Sequence, residues 1–363
     1  MIRVGVIGAS PDRGWAAGAH IPAVRALPDQ FQLTAVATSN ADSARRASEA
    51  FGVDHAFADY RQLVEHPEVD LVVVSVKVPA HFELVDAAIA AGKHVYCEWP
   101  LAVTTEQAVH LADAADAQGV RTAIGLQVRF TPAVAHAAEV IAAGRIGRVS
   151  SITAHITGAK RGLTSIPQWV SYTLDRSNGA GQLEISGGHI LDVVRFLIGP
   201  ITVRPALTAI AFPQHTIAET GQIVDATSPD QVVITGTSAS GATVAASVHG
   251  NAAGPSRARI EISGTDGELI IETAPTDSPT GASLQINPLR MRAIRSGDTA
   301  WHDAALPAWH GRPEWAGLPN AALNVARLYQ QFAEDLSTGS RVVPDFRAAV
   351  EVHRLLDAAR QDG

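Results

Sequence analysis

The chain has 363 residues, 46% of them hydrophobic and 18% charged, enough for a sizeable core and about two domains. Its formal net charge of -8 argues against nucleic acid or an anionic membrane surface as the main partner. Cys97 is the single cysteine, and no run reaches the length of a membrane span, so we expect a cytoplasmic protein without internal disulfides.

The first strand, predicted over residues 3–8, runs into a turn of small residues and then an Ala-rich helix. In a dinucleotide-binding βα unit, bare backbone N–H groups and the helix N-terminus meet a pyrophosphate at this turn. The usual G-x-G-x-x-G spacing is imperfect, because Ser10 replaces the second glycine and the loop is longer. The residues predicted to bind phosphate are Gly8, Ala9, Ser10, Gly14 and Trp15. The alternative is a structural turn, with Trp15 in the core.

Apolar strands then alternate with helical segments, one of them at 41–51, as far as residue 126. The runs 71–76 and 122–126 are continuously apolar, which is typical of strands covered by helices on both faces. This pattern predicts a doubly wound parallel sheet, whose ligands bind beyond the carboxyl ends of the strands. The residues at or near those ends that we expect to bind a cofactor are Thr38, Ser39, Asn40, Val76, Lys77, His81, Glu98, Trp99 and Gln127.

The end of the second strand bears on cofactor type. A site for NAD usually places Asp or Glu there, on the ribose hydroxyls. This chain has Thr38, Ser39 and Asn40 instead, followed by Arg45 and Arg46. We therefore expect NADP, or the use of both NADP and NAD. The alternative for the two arginines is a solvated helix face.

The segment AGKHVYCEWPLA at 91–102 resembles the A-G-K-H-V-x-x-E-K-P-L-A motif of the Gfo/Idh/MocA oxidoreductase family. Further matches are Arg129-Phe130 with Pro132, the segment 144–149, and the segment 179–192 around His189. The resemblance implies an NAD(P)-binding Rossmann domain, residues 1–125, and a second α+β domain, residues 126–363. The second domain would carry a large, open, mostly antiparallel sheet, bind a sugar or polyol, and form a homodimer or homotetramer.

The second half of the sequence is compatible with that plan. Runs rich in β-branched residues, separated by turn residues, predict strands at 149–156, 203–212, 231–237, 243–249, 257–263 and 268–272. Helices are predicted at 188–197, 321–336 and 347–359, and an exposed loop at 273–283. The last helix is expected to pack back on the first domain.

Three positions depart from the family pattern. Trp99 stands where the family has the Lys of E-K-P, and its indole N–H has no proton to exchange at neutral pH. Ile185 replaces the Asp of the family's Asp-x-x-x-His pair, while His189 is kept. Lys77 stands where proline is typical. These departures resemble the branch that holds the galactose-regulon repressor of fungi, a regulator rather than a dehydrogenase.

The remaining acid–base candidates are His189, because imidazole titrates near neutral pH, and Lys77, which desolvation at a strand end would make a usable proton donor. The alternatives are a core histidine and a cation that reaches the cofactor or solvent. The resemblance implies that Glu98 contacts the nicotinamide ribose. The residues expected to contact substrate are Trp99, Arg129, Lys160, Trp169, Tyr172, Asp175 and His189. No metal site is predicted.

The sequence thus favours an NAD(P)-dependent oxidoreductase of a small-molecule sugar, cyclitol or related compound, with an altered proton relay. Two alternatives stay open: a cofactor-binding sensor without turnover, and a redox-neutral lyase or epimerase that keeps its cofactor.

Overall fold

The computed structural model describes residues 1–158, 165–250, 254–273, 283–306 and 312–360. The chain separates into two compact units. The first comprises Met1–Gln127 with Arg312–Glu351, and the second comprises Val128–Gly311 with Val352–Gly363. The predicted domain division at 125/126 stays a prediction, because a compact unit need not fold alone. Within the described part, no helix has the length and apolar character needed to cross a membrane.

The described strands are β1 (Ile2–Ile7), β2 (Phe31–Ala37), β3 (His55–Phe57), β4 (Leu71–Val74), β5 (His94–Cys97), β6 (Thr122–Ile124), β7 (Val149–Thr157), β8 (Ser165–Ile166), β9 (Ile201–Val203), β10 (Leu207–Ala209), β11 (Gln214–Ile217), β12 (Ile223–Asp225), β13 (Gln231–Ser238), β14 (Thr243–His249), β15 (Arg257–Gly264), β16 (Gly267–Thr273), β17 (Leu289–Arg295) and β18 (His302–Asp303). The described α-helices are α1 (Ile21–Arg25), α2 (Ala41–Phe51), α3 (Tyr60–Val64), α4 (His81–Ala90), α5 (Thr105–Gln118), α6 (Pro132–Ala142), α7 (Gly188–Ile198), α8 (Asn320–Thr338) and α9 (Phe346–Arg360).

The first unit is built on a six-stranded sheet. Its order is β3-β2-β1-β4-β5-β6, and every pairing is parallel. All four residues of β4 are buried, as expected for a strand covered on both faces. This order is that of the Rossmann fold, in which the strand order reverses between β1 and β4. The predicted doubly wound parallel sheet is confirmed.

Local capping explains why the helices of this unit begin and end where they do. Asn40 accepts the N–H of Ser43 at 2.9 Å at the start of α2, and Thr104 accepts the N–H of Gln107 at 3.3 Å at the start of α5. Gly52 closes α2 with a φ of 55°. Helix α8 belongs to the first unit, where it packs against α1 and the turn before it.

The second unit holds a larger sheet of nine strands. Eight follow the order β10-β13-β14-β7-β15-β16-β17-β18, and β9 also pairs with β13. Only the β14–β7 pairing among them is parallel; the other pairings described are antiparallel. A separate three-stranded sheet has the order β12-β11-β8. The predicted α+β unit with a large, mostly antiparallel sheet is confirmed.

Two features of the second unit differ from the sequence-based expectations. The single strand predicted over 203–212 is wrong: β9 ends at Val203, and β10 begins only at Leu207, after residues that include Pro205. Proline has no N–H to donate to a ladder, so it interrupts the pairing. Strands β8, β11, β12, β17 and β18 were not predicted. Most of the predicted loop 273–283 lies outside the described residues.

Candidate functional site

Four neighbouring strands of the first unit end at one edge of its sheet. They are β1, β4, β5 and β6, which end at Ile7, Val74, Cys97 and Ile124. In a doubly wound sheet the ligand crevice lies outside the carboxyl ends of the strands. This edge is therefore the candidate site of the first unit.

Gly8 allows β1 to end in close contact with the end of β4. Its φ is +95°, which L side chains rarely adopt, and an added Cβ would collide with the carbonyl oxygen of Ser75. The same Cβ would lie 2.8 Å from a side-chain carbon of Val76. The N–H of Ser10 donates to the Gly8 carbonyl at 2.9 Å and closes the turn. Because Gly8 has no side chain, a phosphate can approach the backbone N–H groups of this turn.

Three buried polar atoms at this edge have no hydrogen-bond partner among the described residues: the indole N–H of Trp15, the hydroxyl of Ser75 and the side-chain carbonyl oxygen of Gln127. Trp15 precedes the π-helical turn 16–20, Ser75 follows β4, and Gln127 follows β6. Most buried polar atoms in native proteins are paired, so three orphans at one edge point to a ligand with its own polar groups. The residues present fit a dinucleotide. Ser75 was not among the predicted contacts, although its place after a buried strand could have signalled it.

His81 fixes the segment that follows β5. Its Nδ1 lies 2.7 Å from the carbonyl oxygen of Pro100, and its Nε2 lies 3.1 Å from that of Val76. Burial lowers the pKa of this imidazole. That His81 binds the cofactor stays a prediction; both of its ring nitrogens face backbone carbonyl oxygens.

The buried imidazole of His20 forms a hydrogen bond with the Glu98 carboxylate. His20 Nε2 lies 3.0 Å from Glu98 Oε1, and His20 Nδ1 lies 2.9 Å from the Tyr329 hydroxyl. His20 and Tyr329 are fully buried, whereas the Glu98 side chain is 17% exposed. An added Cβ on Gly125 would lie 2.8 Å from both carboxylate oxygens of Glu98. The sequence predicted Glu98 at this edge but neither partner, since 309 positions separate His20 from Tyr329.

Lys77 and Trp99 follow β4 and β5 and differ in exposure. Lys77 is exposed, so the expected desolvation of a strand-end lysine is wrong: β4 ends at Val74, and Lys77 already stands outside the sheet. Trp99 is buried, at 6% exposure, and its peptide bond to Pro100 is cis.

The end of β2 carries polar groups that are tied locally. The Thr38 hydroxyl donates to the Asn40 carbonyl at 3.0 Å, and Asn40 caps α2. Ser39 and Asn40 are exposed. No carboxylate stands at these three positions.

The two arginines that follow are each paired with carboxylates. Arg46 Nη1 donates to the two oxygens of Asp12, in the loop after β1, at 2.9 and 2.7 Å. Arg45 pairs with Asp42 at 2.6 Å and Glu49 at 3.2 Å on the surface of α2. Arg46 thus reaches the predicted phosphate loop, whereas Arg45 stays on the helix face.

His189 is the candidate proton carrier of the second unit. It lies in α7, just after a π-helical turn over Leu183–Gly187, a rare conformation that is frequent at functional sites. His189 is buried, its Nδ1 has no partner among the described residues, and burial lowers its pKa to about 4. At neutral pH this imidazole is uncharged and can accept a proton, and its lowered pKa makes it a weaker base than an exposed histidine.

Arg129 braces α7. Its Nε donates to Asp192 Oδ2 at 2.8 Å, and its Nη2 donates to the other carboxylate oxygen. The Asp192 side chain is 1% exposed and that of Arg129 is 16% exposed. The guanidinium, expected to contact substrate, is therefore committed to a two-point ion pair.

A cavity of about 120 Å³ opens beside the π-helical turn. Its polar lining includes Thr173, Gln182, Ser186, His215, Ser228 and Asp230, and Ile185 also lines it. The buried Ser228 hydroxyl has no partner among the described residues. The Asp230 carboxylate accepts the N–H groups of Ala211 and Phe212, each at 2.9 Å.

The segment 169–175, which holds three predicted substrate contacts, includes two residues that line this cavity, Thr173 and Leu174. Trp169 is 47% exposed, and burial raises the pKa of Tyr172. Asp175 accepts the N–H of Ser177 at 2.9 Å, which makes it a turn cap. None of the three lines the cavity. Lys160 lies outside the described residues.

One group among the described residues has a composition suited to a metal. His55, His66 and Glu68 offer ligand atoms within 4.8 Å of one another, and His55 Nε2 lies 2.7 Å from Glu68 Oε2. His55 begins β3 and Glu68 precedes β4, so the group lies at the amino edge of the parallel sheet. That is the edge opposite to the ligand crevice.

Two family models match the chain. Residues 2–126 match the model described as "Oxidoreductase family, NAD-binding Rossmann fold", and residues 132–273 match the model of the Gal80p C-terminal domain. The first match spans β1–β6, and the second includes His189 and the cavity lining.

Curated relatives include both enzymes and a regulator. The 1,5-anhydro-D-fructose reductase of Ensifer adhaerens is 31% identical over 88% of this chain and 91% of its own length. Dehydrogenase aclE of Aspergillus oryzae is 35% identical over 65% of this chain and 66% of its own length. The galactose/lactose metabolism regulatory protein GAL80 of Saccharomyces cerevisiae is 28% identical over 75% of this chain and 66% of its own length. The chain thus spans just under two thirds of these last two relatives.

Solved structures show the same fold. A super-repressor mutant of Gal80p from Saccharomyces cerevisiae has a TM-score of 0.84 at 24% identity, covering 99% of this chain and 95% of its own. Levoglucosan dehydrogenase, in complex with NADH and levoglucosan, has a TM-score of 0.84 at 23% identity, covering 99% and 96%.

Proposed function

This chain belongs to the Gfo/Idh/MocA family of oxidoreductases, and we propose that it is an NAD(P)-dependent dehydrogenase or reductase of a sugar, cyclitol or related hydroxy or keto compound. The observation that carries the proposal is the set of orphaned buried polar atoms on Trp15, Ser75 and Gln127 at the carboxyl edge of the sheet. Relatives that are dehydrogenases or reductases support it.

Residues of the first unit would hold the cofactor. The turn at Gly8 offers bare backbone to a pyrophosphate, and Glu98 offers a carboxylate to ribose hydroxyls. Trp15, Ser75 and Gln127 would supply further donors and acceptors. When bound, the nicotinamide ring supplies the hydride donor or acceptor.

We propose that both NAD and NADP are accepted, with a preference for NADP. The end of β2 has no carboxylate to repel a 2′-phosphate, and Arg46 of α2 reaches the loop after β1. Asp12 opposes this preference, because it neutralises Arg46.

His189 is the proposed proton acceptor when an alcohol is oxidised. It is neutral at working pH, and its buried Nδ1 has no partner among the described residues. Lys77 is the second candidate, as an exposed cation that could give a proton in the reverse direction. Removing a general base typically lowers the rate about 10²–10⁴-fold.

The cavity beside Ile185 is the proposed substrate site of the second unit. Hydroxyl and amide groups line it, and its one carboxylate, on Asp230, is already bonded to two backbone N–H groups. Such a lining favours a neutral, hydroxylated compound over an ion. Trp169, Tyr172 and Lys160 stay proposed substrate contacts of the second unit, and Trp99 stays a proposed substrate contact of the first.

The first experiment is titration of the purified protein with NADH and NADPH, followed by tryptophan fluorescence, and then a screen for polyol-dependent cofactor reduction. Micromolar binding followed by turnover is the expected result. In His189→Ala we expect turnover to fall at least about 100-fold while cofactor affinity stays within twofold. Failure of the protein to bind either nucleotide would contradict the proposal.

A regulator without turnover is the second candidate. It is favoured by the match of residues 132–273 to the Gal80p C-terminal domain, together with Trp99 and Ile185 at the altered family positions. Such a protein would bind cofactor but show no polyol-dependent reduction, and His189→Ala would leave its properties unchanged.

A further inference from the structure

Glu98 lies on a defined half of the parallel sheet. A dinucleotide crosses this fold where the strand order reverses, and the residue that reads the adenosine ribose stands at the end of β2. Glu98 follows β5, on the other side of that reversal, in the half formed by β4, β5 and β6. Its carboxylate therefore belongs to the nicotinamide half of the site.

The hydrogen bonds behind Glu98 are satisfied by one neutral tautomer of His20. The Tyr329 hydroxyl donates to His20 Nδ1 across 2.9 Å, and His20 Nε2–H donates to Glu98 Oε1 across 3.0 Å. Tyr329 and His20 then each donate once, the Glu98 carboxylate only accepts, and no lone pair faces another. Oε2 of Glu98 makes no hydrogen bond to any residue in the described part of the chain and stays available.

The imidazole has little freedom to turn away. Tyr96 packs edge-on against the His20 ring with centroids 4.8 Å apart, and Tyr329 does so at 5.9 Å. Phe31 packs against Tyr329 in turn, at 5.2 Å. All four rings are buried to within 2% exposure. Moving His20 would leave buried polar groups unpaired, which costs about 1–3 kcal/mol for each group.

We infer that His20, held by Tyr329, is the positioning residue that fixes Glu98 on the ribose of the nicotinamide half of the cofactor. A ribose diol presents two O–H donors, and a carboxylate with one oxygen anchored and one open is a matched acceptor. The backbone of Gly125 lies against the carboxylate, since an added Cβ there would collide with both oxygens. This inference rests on the proposed cofactor-binding function.

The test compares ligands that do and do not reach Glu98. NADH carries the nicotinamide ribose, whereas ADP carries only the adenosine half. In His20→Ala we expect the affinity for NADH, measured by fluorescence titration, to fall about tenfold, the size of one charge-assisted hydrogen bond. The affinity for ADP, measured by calorimetry, should stay within twofold.

Two conservative variants separate positioning from support of the fold. Gln can place an amide N–H where His20 Nε2 stands, so His20→Gln should restore most of the NADH affinity. Asn is too short to reach Glu98 and reproduces only the Nδ1 side, so His20→Asn should resemble His20→Ala. Tyr329→Phe keeps the ring packing but removes the donor, and we expect a loss of NADH affinity between those of His20→Gln and His20→Ala.

Equal losses for NADH and ADP would overturn the inference, because His20 would then only support the fold. Unchanged NADH affinity in His20→Ala would overturn it as well. If the unmodified protein binds ADP but not NADH, or binds neither, the proposed function fails first and the inference fails with it.

Discussion

At the scale of single residues, the cofactor preference depends on how Arg46 is neutralised. Arg46 reaches Asp12 in the loop after β1, and both side chains are about half exposed. An exposed pair of this kind contributes little to stability, so its effect falls mainly on the local potential. A 2′-phosphate in the same region would meet both the cation and its partner carboxylate.

We predict that Asp12→Asn raises the affinity for NADPH about fivefold and leaves that for NADH within twofold. The change removes one negative charge and frees Arg46 for the phosphate. Paired titrations with the two cofactors at low salt provide the measurement. Glu49→Gln, which removes a carboxylate that faces Arg45 on the surface of α2, is the matched control. An equal rise in the affinity for NADH would show that the charge of Asp12 does not affect the choice between NADPH and NADH.

Two buried histidines predict how stability depends on pH. Burial lowers the pKa of His189 and of His353 to about 4 from 6.5. Between these values the unfolded chain binds more protons than the folded chain, so stability falls as pH falls. Each histidine should lower the free energy of unfolding by about 2 kcal/mol between pH 7 and pH 5.

Between pH 7 and pH 5, we therefore expect the free energy of unfolding of His189→Asn to fall by about 2 kcal/mol less than that of the unmodified protein. Urea unfolding at the two pH values measures the difference. His302→Asn is the control, because His302 is exposed. An unchanged pH dependence in His189→Asn would mean that His189 charges freely in the folded state.

The sequence identified the residues that end strands but not the partners that hold them. Glu98 and Gln127 were predicted at the crevice because parallel strands end at a common edge. The link from His20 to Tyr329 spans 309 positions and follows from no local pattern. The commitment of Arg129 to Asp192 was equally invisible, since a basic residue beside a predicted site looks the same whether it is paired or not.

At the scale of elements, prediction succeeded where local chemistry decides the structure. Helix α2 matches its predicted bounds, Ala41–Phe51, because Asn40 caps one end and Gly52 the other. Strand β17, in which Leu289, Met291 and Ala293 alternate with polar or exposed positions, was missed although its period of two was visible. The π-helical turns Ala16–His20 and Leu183–Gly187 have no recognised sequence signal.

The ion pair between Arg129 and Asp192, which braces α7, can be tested by substitution. Removing one member of a buried ion pair leaves an uncompensated charge, so Asp192→Asn should lower the free energy of unfolding by about 3–5 kcal/mol. The double variant Arg129→Met with Asp192→Leu should recover most of that loss. Denaturant unfolding of Asp192→Asn measures the loss, and a double-mutant cycle of the unmodified protein, Arg129→Met, Asp192→Leu and the double variant measures the coupling. Additive losses in the cycle would mean that the pair is not coupled.

At the scale of the whole molecule, the large sheet of the second unit has one face that is less covered. In β13 and β14, buried residues such as Val232 and Val244 alternate with exposed ones such as Thr235 and Ala245. Helices α6 and α7 contact strands of this sheet. An open face of paired strands is a ready surface for a second copy.

We predict that the protein is a homodimer or homotetramer through this face, and that Thr235→Arg lowers its mass in solution to that of a monomer. A bulky charge at the centre of a flat interface is costly because it loses its hydration. Light scattering after gel filtration measures the mass. Thr220→Arg, in the exposed turn between β11 and β12, is the control. A monomeric unmodified protein would refute the prediction.

Tyr329 reaches His20 from a segment that is synthesised late. The first compact unit joins residues 1–127 to residues 312–351, so the ribosome must make all of residues 128–311 before α8 emerges. At ordinary elongation rates that interval lasts about 10–40 s. Throughout it, the nascent N-terminal segment carries His20 without its hydroxyl partner. A polypeptide released early by a stalled ribosome would lack Tyr329, so completion of translation is itself the step that closes this cluster.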